Sequence, residues 1–310
     1  MTNRTYDVAI IGGGPAGLSA ALVLGRARRR VVVVDAGTPR NAPAAHMQGF
    51  LSRDGTPPAE LLRAARDEVR RYGVEIVEDR VMAAAAGFAL RLAGGRTLEA
   101  RRVLLATGAV DELPDIPGAR ERWGRDLLHC PYCRGWEVRD QPIGVLGTGA
   151  GSVEHAHLLR QWTDDVILFA HTAVVTAGER EALHARGIAV VDGIVEELVV
   201  TNDRLQGVRL ADGHSVARRA LFIRPALRAH AGGLAAALGC ELLEDGLVRA
   251  DDGGRTSVRG IWAAGNATNP RAQVITAAGE GSAVAIAINT ELVADEVGIA
   301  VQQVAAATAA

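Results

Sequence analysis

Cys130 and Cys133 are separated by Pro131 and Tyr132, the spacing at which two thiols close a small disulfide across a turn or a helix start. The same setting lowers the pKa of one thiol, so that thiolate is available for exchange with an incoming thiol or disulfide. Half of a structural zinc site uses this spacing too, but no second such pair and no nearby histidine pair completes four ligands, and no metal is expected. A glutaredoxin-like site also accommodates Pro-Tyr between its cysteines; here the pair sits mid-chain between two glycine motifs, a different setting. Cys240, after an alanine-rich helical pattern, reads as a buried small hydrophobe.

The first glycine motif, Gly12-Gly13-Gly14-Pro15-Ala16-Gly17, follows an apolar run from Tyr6 to Ile11 and precedes an alanine- and leucine-rich helical pattern to about Arg26. A second apolar run, Arg30 to Val34, ends in Asp35. In this strand, turn, helix, strand context Gly12 makes the tight turn, Gly14 lets backbone approach a pyrophosphate, and Gly17 permits close helix packing. The helix N-terminus then faces the anion, and Asp35 is placed to accept hydrogen bonds from a ribose. The motif alone does not distinguish FAD from NAD. The second motif has Gly147 and Gly149 but Ser152 where a third small residue usually stands. Its following strand ends in Phe169-Ala170-His171-Thr172, with neither an acid for a 2'-hydroxyl nor an arginine cluster for a 2'-phosphate. NAD(P)H therefore stays open as a cofactor, beside the reading of a scaffold that no longer binds nicotinamide nucleotide productively.

The elements that must hold these motifs follow from periodicity. A helix is predicted over Pro58 to Tyr72, and strands over Val74 to Val77, Gly87 to Leu92, Thr97 to Glu99 and Arg102 to Ala106, the last closing in Thr107-Gly108. A second block repeats the pattern: strand Pro142 to Leu146, helix to about Gln161, then strands Asp165 to Phe169, Ile188 to Val191, Val195 to Val200 and Gln206 to Leu210. A last strand, Gly260 to Ala264, leads to Gly265-Asn266 and a helix from Gln273 to Leu292, with the tail Ala305 to Ala310 expected to fray. The expected fold is α/β, with two Rossmann-like three-layer nucleotide-binding domains, the second inserted into the first. Residues 1–116 and 246–310 would form the outer domain and residues 117–245 the insert carrying the cysteine pair.

Composition narrows the chemistry further. A chain that is 48% hydrophobic and 23% charged, with a net charge of -2, has the profile of a soluble globular protein without the basic face that nucleic acid or an anionic membrane would require. There is no lysine, which excludes Schiff-base chemistry and a lysine-held pyridoxal cofactor. Three cysteines cannot supply the bridges of a small secreted domain, so a cytoplasmic location is expected. Met1 to Asp7 has no apolar segment and the longest apolar runs are strand-length, so neither a signal peptide nor a membrane span is expected.

Taken together, Gly12 to Gly17, Ala106-Thr107-Gly108, the cysteine pair ahead of the second glycine motif, and Ala264-Gly265-Asn266 with Gln273 to Gly279 resemble the low-molecular-weight thioredoxin reductase family, over essentially the whole chain. The resemblance implies FAD in the outer domain, with Gly12, Gly14, Pro15, Ala16, Gly17, Asp35, Arg40, Gln48, Val81, Thr107, Gly108, Gly265, Asn266, Gln273 and Val274 as candidate contacts. It also implies a homodimer, a Cys133 nearer the flavin and a Cys130 that exchanges with substrate. A cysteine pair cannot face flavin and incoming substrate at once, so the insert is expected to rotate.

The departures are as informative. Arg134 replaces the family's acidic residue after the second cysteine and can hold a thiolate by charge, with His129, Glu137 and His46 as candidate bases. Gly265-Asn266 replaces Gly-Asp, and His171 and Thr172 replace the arginine pair of NADPH-using members. These changes, with the segments Cys130 to Glu137 and His46 to Leu51, look more like the dithiol oxidases that close disulfides in gliotoxin- and holomycin-type natural products. In that branch a substrate dithiol reduces the cysteine pair, the pair reduces FAD, and molecular oxygen is the acceptor. The competing readings are an NAD(P)H-dependent reductase of a thioredoxin-like protein, a ferredoxin-fed variant, and a flavin-binding regulatory protein. Tyr132 and Trp136 can line a pocket for an apolar small-molecule dithiol or pack locally; local packing is the expectation.

Overall fold

The computed structural model describes residues 5–85, 87–229 and 233–309. β1 (Thr5–Ile11) enters the glycine turn, α1 (Pro15–Arg26) follows, and β2 (Val31–Asp35) returns parallel to β1. Next come α2 (Pro58–Arg70), β3 (Glu75–Glu78), β4 (Val81–Ala85), β5 (Ala89–Leu92) and β6 (Thr97–Leu105). The two strands predicted over 97–106 are one. β1 pairs across the predicted gap, from Thr5 with Glu99 to Ile11 with Leu105. The arginines at this gap are neutralised in place, Arg101 by Asp7 and Glu296, Arg102 by Glu291 and Asp295. β4 escaped the sequence pattern because Val81-Met82-Ala83-Ala84-Ala85 is poor in the β-branched and aromatic residues that mark strands.

β7 (Ala109–Glu112) carries the chain into the insert: α3 (Ala119–Arg122), β8 (Leu127–Leu128), α4 (Pro131–Arg134), β9 (Ile143–Leu146), α5 (Ser152–Leu159), β10 (Val166–Phe169), α6 (Ala177–Ala185) and β11 (Ala189–Val191). An antiparallel meander of β12 (Val195–Thr201), β13 (Arg204–Leu210) and β14 (Ser215–Ala217) precedes β15 (Ala220–Ile223). The chain returns through β16 (Ala226–Ala229), α7 (Leu234–Ala237), β17 (Ile261–Ala263) and α8 (Val274–Ala309).

Both main sheets place a glycine turn where the strand order reverses. In the first, the order β3-β2-β1-β6 means the chain steps outward from β1 and then crosses to its other side. In the second, the parallel order β11-β10-β9-β15-β8 does the same around β9. The crevice beyond the carboxyl ends of the strands at such a reversal is where open α/β sheets take ligands. Alternate residues of β1 from Val8 on serve two covered faces: Val8 and Ile10 join a core with α1 and α8, whereas Ala9 and Ile11 join one with β5 and α7.

The chain divides into two compact units, one of residues 1–40, 59–110 and 227–310, the other of 41–58 and 111–226. The insert therefore ends earlier than the predicted residue 245, because Leu234 and Cys240 are buried in the core with Ala9 and Val32. Segment 41–58 joins the insert, where Pro43 lies so close to Gly124 that a Cβ on the glycine would stand 2.8 Å from it. The predicted frayed tail is also corrected: α8 continues to Ala309, alanine being the best helix former. Glu296 on α8 accepts hydrogen bonds from Arg29 at 2.6 Å and Arg101 at 2.7 Å, which ties the helix to the sheet. Among the described residues no helix is long and apolar enough to cross a membrane.

Candidate dithiol centre and nucleotide cradles

The cysteine pair forms a disulfide in the insert, with Cα atoms 5.2 Å apart. Cys130 caps α4 in extended backbone, Pro131 opens the helix, and the N–H groups of Cys133 and Arg134 both donate to the carbonyl of Cys130 at 3.1 Å. Proline suits this position because its missing N–H is an orphan of the first turn anyway. Both cysteines are half-buried, Arg134 is half-buried with an unpartnered Nε, and Glu137 is exposed. His129, directly before the pair, has its Nδ1 3.3 Å from the carbonyl of Ile223 at the end of β15. His46 is exposed. Tyr132 and Trp136 are each 66% exposed, and each makes one ring contact within the insert. Trp136 lies beneath the Arg139 guanidinium at 4.0 Å, and Tyr132 stands edge-on to Trp162 at 5.7 Å. Cys240 is buried, as its sequence context indicated, and burial raises its thiol pKa.

The first glycine turn has the shape a pyrophosphate needs. Gly12, at φ +111°, is pressed against the carbonyl of Ala106, and a Cβ on it would stand 3.2 Å from Thr107. Gly17 is packed against the carbonyl of Gly12. Gly14 alone of the three has nothing within 4 Å of its would-be Cβ, so its backbone faces open space at the start of α1, whose N-terminus has no side-chain cap. Asp35, at the end of β2, lies so near that a Cβ on Gly13 would stand 2.5 Å from its carboxylate. Asp35 accepts from the N–H of Gly37 at 3.1 Å and from Arg66. Gly265, at φ +70°, is packed beside Ala16, and its N–H donates to Glu280 at 2.9 Å. Asn266 Nδ2 donates to the carbonyls of Asn269 and Ala272, closing the turn that leads to Gln273 and Val274 at the head of α8. Arg40 Nη1 reaches the carbonyl of Pro270 at 3.5 Å. The outer unit thus gathers Gly12 to Gly17, Asp35, Thr107, Gly265 and Asn266; Gly108 follows at φ +70°, and Val81 opens β4. Gln48 lies in segment 41–58 of the other unit. Sequence reasoning missed Arg66 and Glu280, which hold Asp35 and Gly265; Glu280 directly follows the quoted Gln273 to Gly279 segment.

In the second glycine turn Gly149, like Gly14, has nothing within 4 Å of its would-be Cβ, but the protein's own side chains bond to two of the turn's carbonyls. Ser152 Oγ donates to the carbonyl of Gly149 at 2.8 Å. Arg224, just past β15, donates from Nη1 to the carbonyl of Gly151 at 3.2 Å and fills the space beside that residue. Gly147 is packed under the carbonyls of Phe169 and Ala170. His171, where a ribose-reading residue would stand, accepts from the N–H of Val195 through Nδ1 at 3.1 Å. Burial lowers its pKa, which keeps the ring neutral. Arg224 was missed because β15, only Ala220-Leu221-Phe222-Ile223, carries too short a signal to assign from sequence.

A model of the family described as pyridine nucleotide-disulphide oxidoreductase matches residues 6–281. A thioredoxin reductase tcpT from Claviceps purpurea (strain 20.1) is 35% identical, covering 95% of this chain and 96% of its own. A thioredoxin reductase sirT from Leptosphaeria maculans is 32% identical, covering 92% and 93%. The crystal structure of HlmI superposes with a TM-score of 0.94 at 55% identity, covering 99% of this chain and 98% of that one.

Proposed function

The chain belongs to the pyridine nucleotide-disulphide oxidoreductase family, and on that premise we propose that it oxidises small-molecule dithiols to disulfides with molecular oxygen as final acceptor. As a family member of thioredoxin reductase type it is an FAD-binding thiol-disulfide oxidoreductase, and Cys130 and Cys133 are its redox pair. The observation that carries the oxygen-coupled reading is the contrast between the two strand ends: an acid, Asp35, ends β2, whereas His171 at the corresponding place after β10 is turned onto the N–H of Val195, and Arg224 and Ser152 bond to carbonyls of the second turn. A strand end built that way offers a nicotinamide nucleotide no ribose acceptor.

In the forward reaction a substrate thiolate attacks one sulfur of the Cys130–Cys133 disulfide, and the other cysteine leaves as thiolate. The second substrate thiol, losing its proton, displaces the mixed disulfide; the substrate leaves oxidised and the pair is left reduced. We assign Cys130 to substrate exchange and Cys133 to the flavin side. The α4 N-terminus and the Arg134 charge favour the released thiolate, with His129 and Glu137 as proton-handling groups. Bound FAD supplies the two-electron acceptor for the reduced pair and the site from which oxygen is reduced to peroxide. Gly12, Gly14, Pro15, Ala16 and Gly17 would hold its pyrophosphate and Asp35 its ribose, with Arg40, Gln48, Val81, Thr107, Gly108, Gly265, Asn266, Gln273 and Val274 as further contacts.

We place the protein in the cytoplasm and as a homodimer. The exposed row Ile286, Val293, Val297, Val301 and Val304 runs along one face of α8 at spacings of seven, four, four and three, and suits a second copy of the chain. The deciding experiment is anaerobic: dithiothreitol alone should bleach the flavin, air should restore it, and Cys130→Ser or Cys133→Ser should abolish the cycle while leaving the protein yellow. Bleaching by NADPH as fast as by the dithiol would return the chain to the NAD(P)H-dependent reading.

A further inference from the structure

Beside the redox helix the insert carries a cleft of about 520 Å³ lined by Tyr132, His157, Leu158, Gln161, Trp162 and Arg186. We propose that this cleft seats the ring of an aromatic or fused-ring small-molecule dithiol, with Arg186 taking an acceptor oxygen of the same molecule, so that the thiols are presented to the Cys130–Cys133 disulfide. The inference rests on the dithiol-oxidase reading and names the substrate class for it.

Three features of the cleft select this occupant. The first is continuity with the chemistry: Tyr132 lies between the two cysteines, so one wall of the cleft is the redox turn itself. Trp162 is pressed onto the same turn because Gly135 lacks a side chain; a Cβ there would stand 2.8 Å from the indole. Anything seated against Tyr132 and Trp162 is therefore held beside the disulfide-bearing segment. The second is size and surface. Small-molecule sites run from about 300 to 1,000 Å³ and are walled mainly by apolar and aromatic groups with a few polar anchors. Tyr132 and Trp162 contact one another edge to face at 82°, and their remaining surfaces in the cleft, with Leu158 beside them, can offer a ligand ring the offset and edge contacts that aromatic groups prefer.

The third feature is charge. Arg186 brings the cleft's one fixed charge, and no carboxylate lines it. Its Nη1 is pinned to the carbonyl of His157 at 2.8 Å, which fixes the guanidinium. His157 is kept neutral, its pKa lowered by burial and then by Arg186, and its Nδ1 is buried without a hydrogen-bond partner. The side chain of Gln161 adds a neutral donor and acceptor. A carbonyl or carboxylate oxygen meets this environment well, and a cationic group does not.

The test uses the FAD-loaded protein and two readouts. Naphthalene-2-carboxylate, which has a fused ring and an acceptor but no thiol, should bind at one saturable site. Arg186→Gln and Trp162→Ala should each weaken it by roughly fivefold or more, the loss of one good contact. Trp162→Ala risks disturbing the turn, and the exposed Arg186 keeps the test decisive. Absence of saturable binding, or binding unchanged in both variants, overturns the proposal. The second readout is the ratio of anaerobic flavin-reduction rates with toluene-3,4-dithiol and with dithiothreitol. A drop in this ratio of roughly fivefold in Trp162→Ala supports a substrate seat. An unchanged ratio despite weakened naphthoate binding overturns it, because the cleft would then bind rings without serving the disulfide. Dithiothreitol, which has no ring, reports separately on the oxidase reading.

Discussion

Arg224 Nη1 donates to the carbonyl of Gly151 at 3.2 Å, so that a guanidinium from the end of β15 occupies the side of the glycine turn after β9. A dinucleotide would have to displace this arginine and would then find His171 turned onto the N–H of Val195. NADPH and NADH are accordingly expected to reduce the flavin at less than roughly a hundredth of the dithiothreitol rate, since missing ribose and phosphate contacts cost several kcal/mol together. Arg224→Ala should open the turn without restoring the reaction, because the strand end after β10 still lacks a selectivity residue. Stopped-flow absorbance under argon checks both statements, and rapid NADPH reduction of the Ala variant would show that occlusion alone was the obstacle.

Gly14 and Gly17 separate ligand space from packing space within one turn. A Cβ on Gly14 meets nothing within 4 Å in the protein, whereas one on Gly17 collides with the carbonyl of Gly12. Gly14→Ala should therefore leave the apoprotein's thermal midpoint nearly unchanged and weaken FAD binding by tenfold or more, about 1.4 kcal/mol. Gly17→Ala should lower stability with or without FAD by about 1–3 kcal/mol, the usual cost of overpacking. Thermal unfolding of apo and FAD-loaded variants reads both, and equal apoprotein losses would remove the argument for Gly14 as a pyrophosphate contact.

What the sequence conveyed depended on whether local pattern or distant packing set the structure. The β1–α1–β2 unit was legible because strand, glycine turn, helix and Asp35 each carry their own signal. Cys130 and Cys133 were legible by type and spacing, and their half-exposed setting at a helix start agrees with that reading. Arg224 was not legible, because its meaning lies in Gly151, which is 73 residues away in the chain. The unity of β6 was hidden at Ala100 and Arg101, the residues between the two predicted strands, where Arg101 is answered by Glu296 on α8. Trp162 and Arg186 sit on separate segments that only the fold brings to Tyr132.

The apolar row on α8 makes the homodimer testable without touching either glycine turn. Val293, Val297 and Val301 are 45%, 57% and 63% exposed on one face, and a charge at the middle position would have to be buried in any interface built on it. Val297→Glu should shift the protein from dimer to monomer in light scattering at micromolar concentration, while α8 keeps its helicity because position 297 faces away from the core. A dimer that survives the substitution unchanged would place the interface elsewhere.

His155 gives the insert a pH-dependent stability whose sign is fixed by burial. The ring is 5% exposed and stands edge-on to Phe222 at 5.9 Å, with Nδ1 buried and unpartnered. Burial first, and then the charges of His129 and Arg224, push its pKa down to about 3 from 6.5, against the smaller opposing effect of a hydrogen bond to the His129 backbone. Between those two values the unfolded chain binds a proton that the folded chain refuses. The stabilisation is therefore fully present above pH 6.5 and is lost as pH falls toward 3, at up to about 1.4 kcal/mol per pH unit. His155→Leu, close in volume and without a proton to bind, should flatten this slope: the wild type should lose about 2 kcal/mol more than the variant between pH 7.5 and pH 5 in urea unfolding. Because the hydrogen bond to the carbonyl before Cys130 is also lost, the variant should slow dithiol reduction of the flavin modestly while flattening the stability profile. Parallel stability curves would mean that His155 takes up its proton in the folded state at an ordinary pH, and that the wall behind the redox turn is wetter than its burial implies.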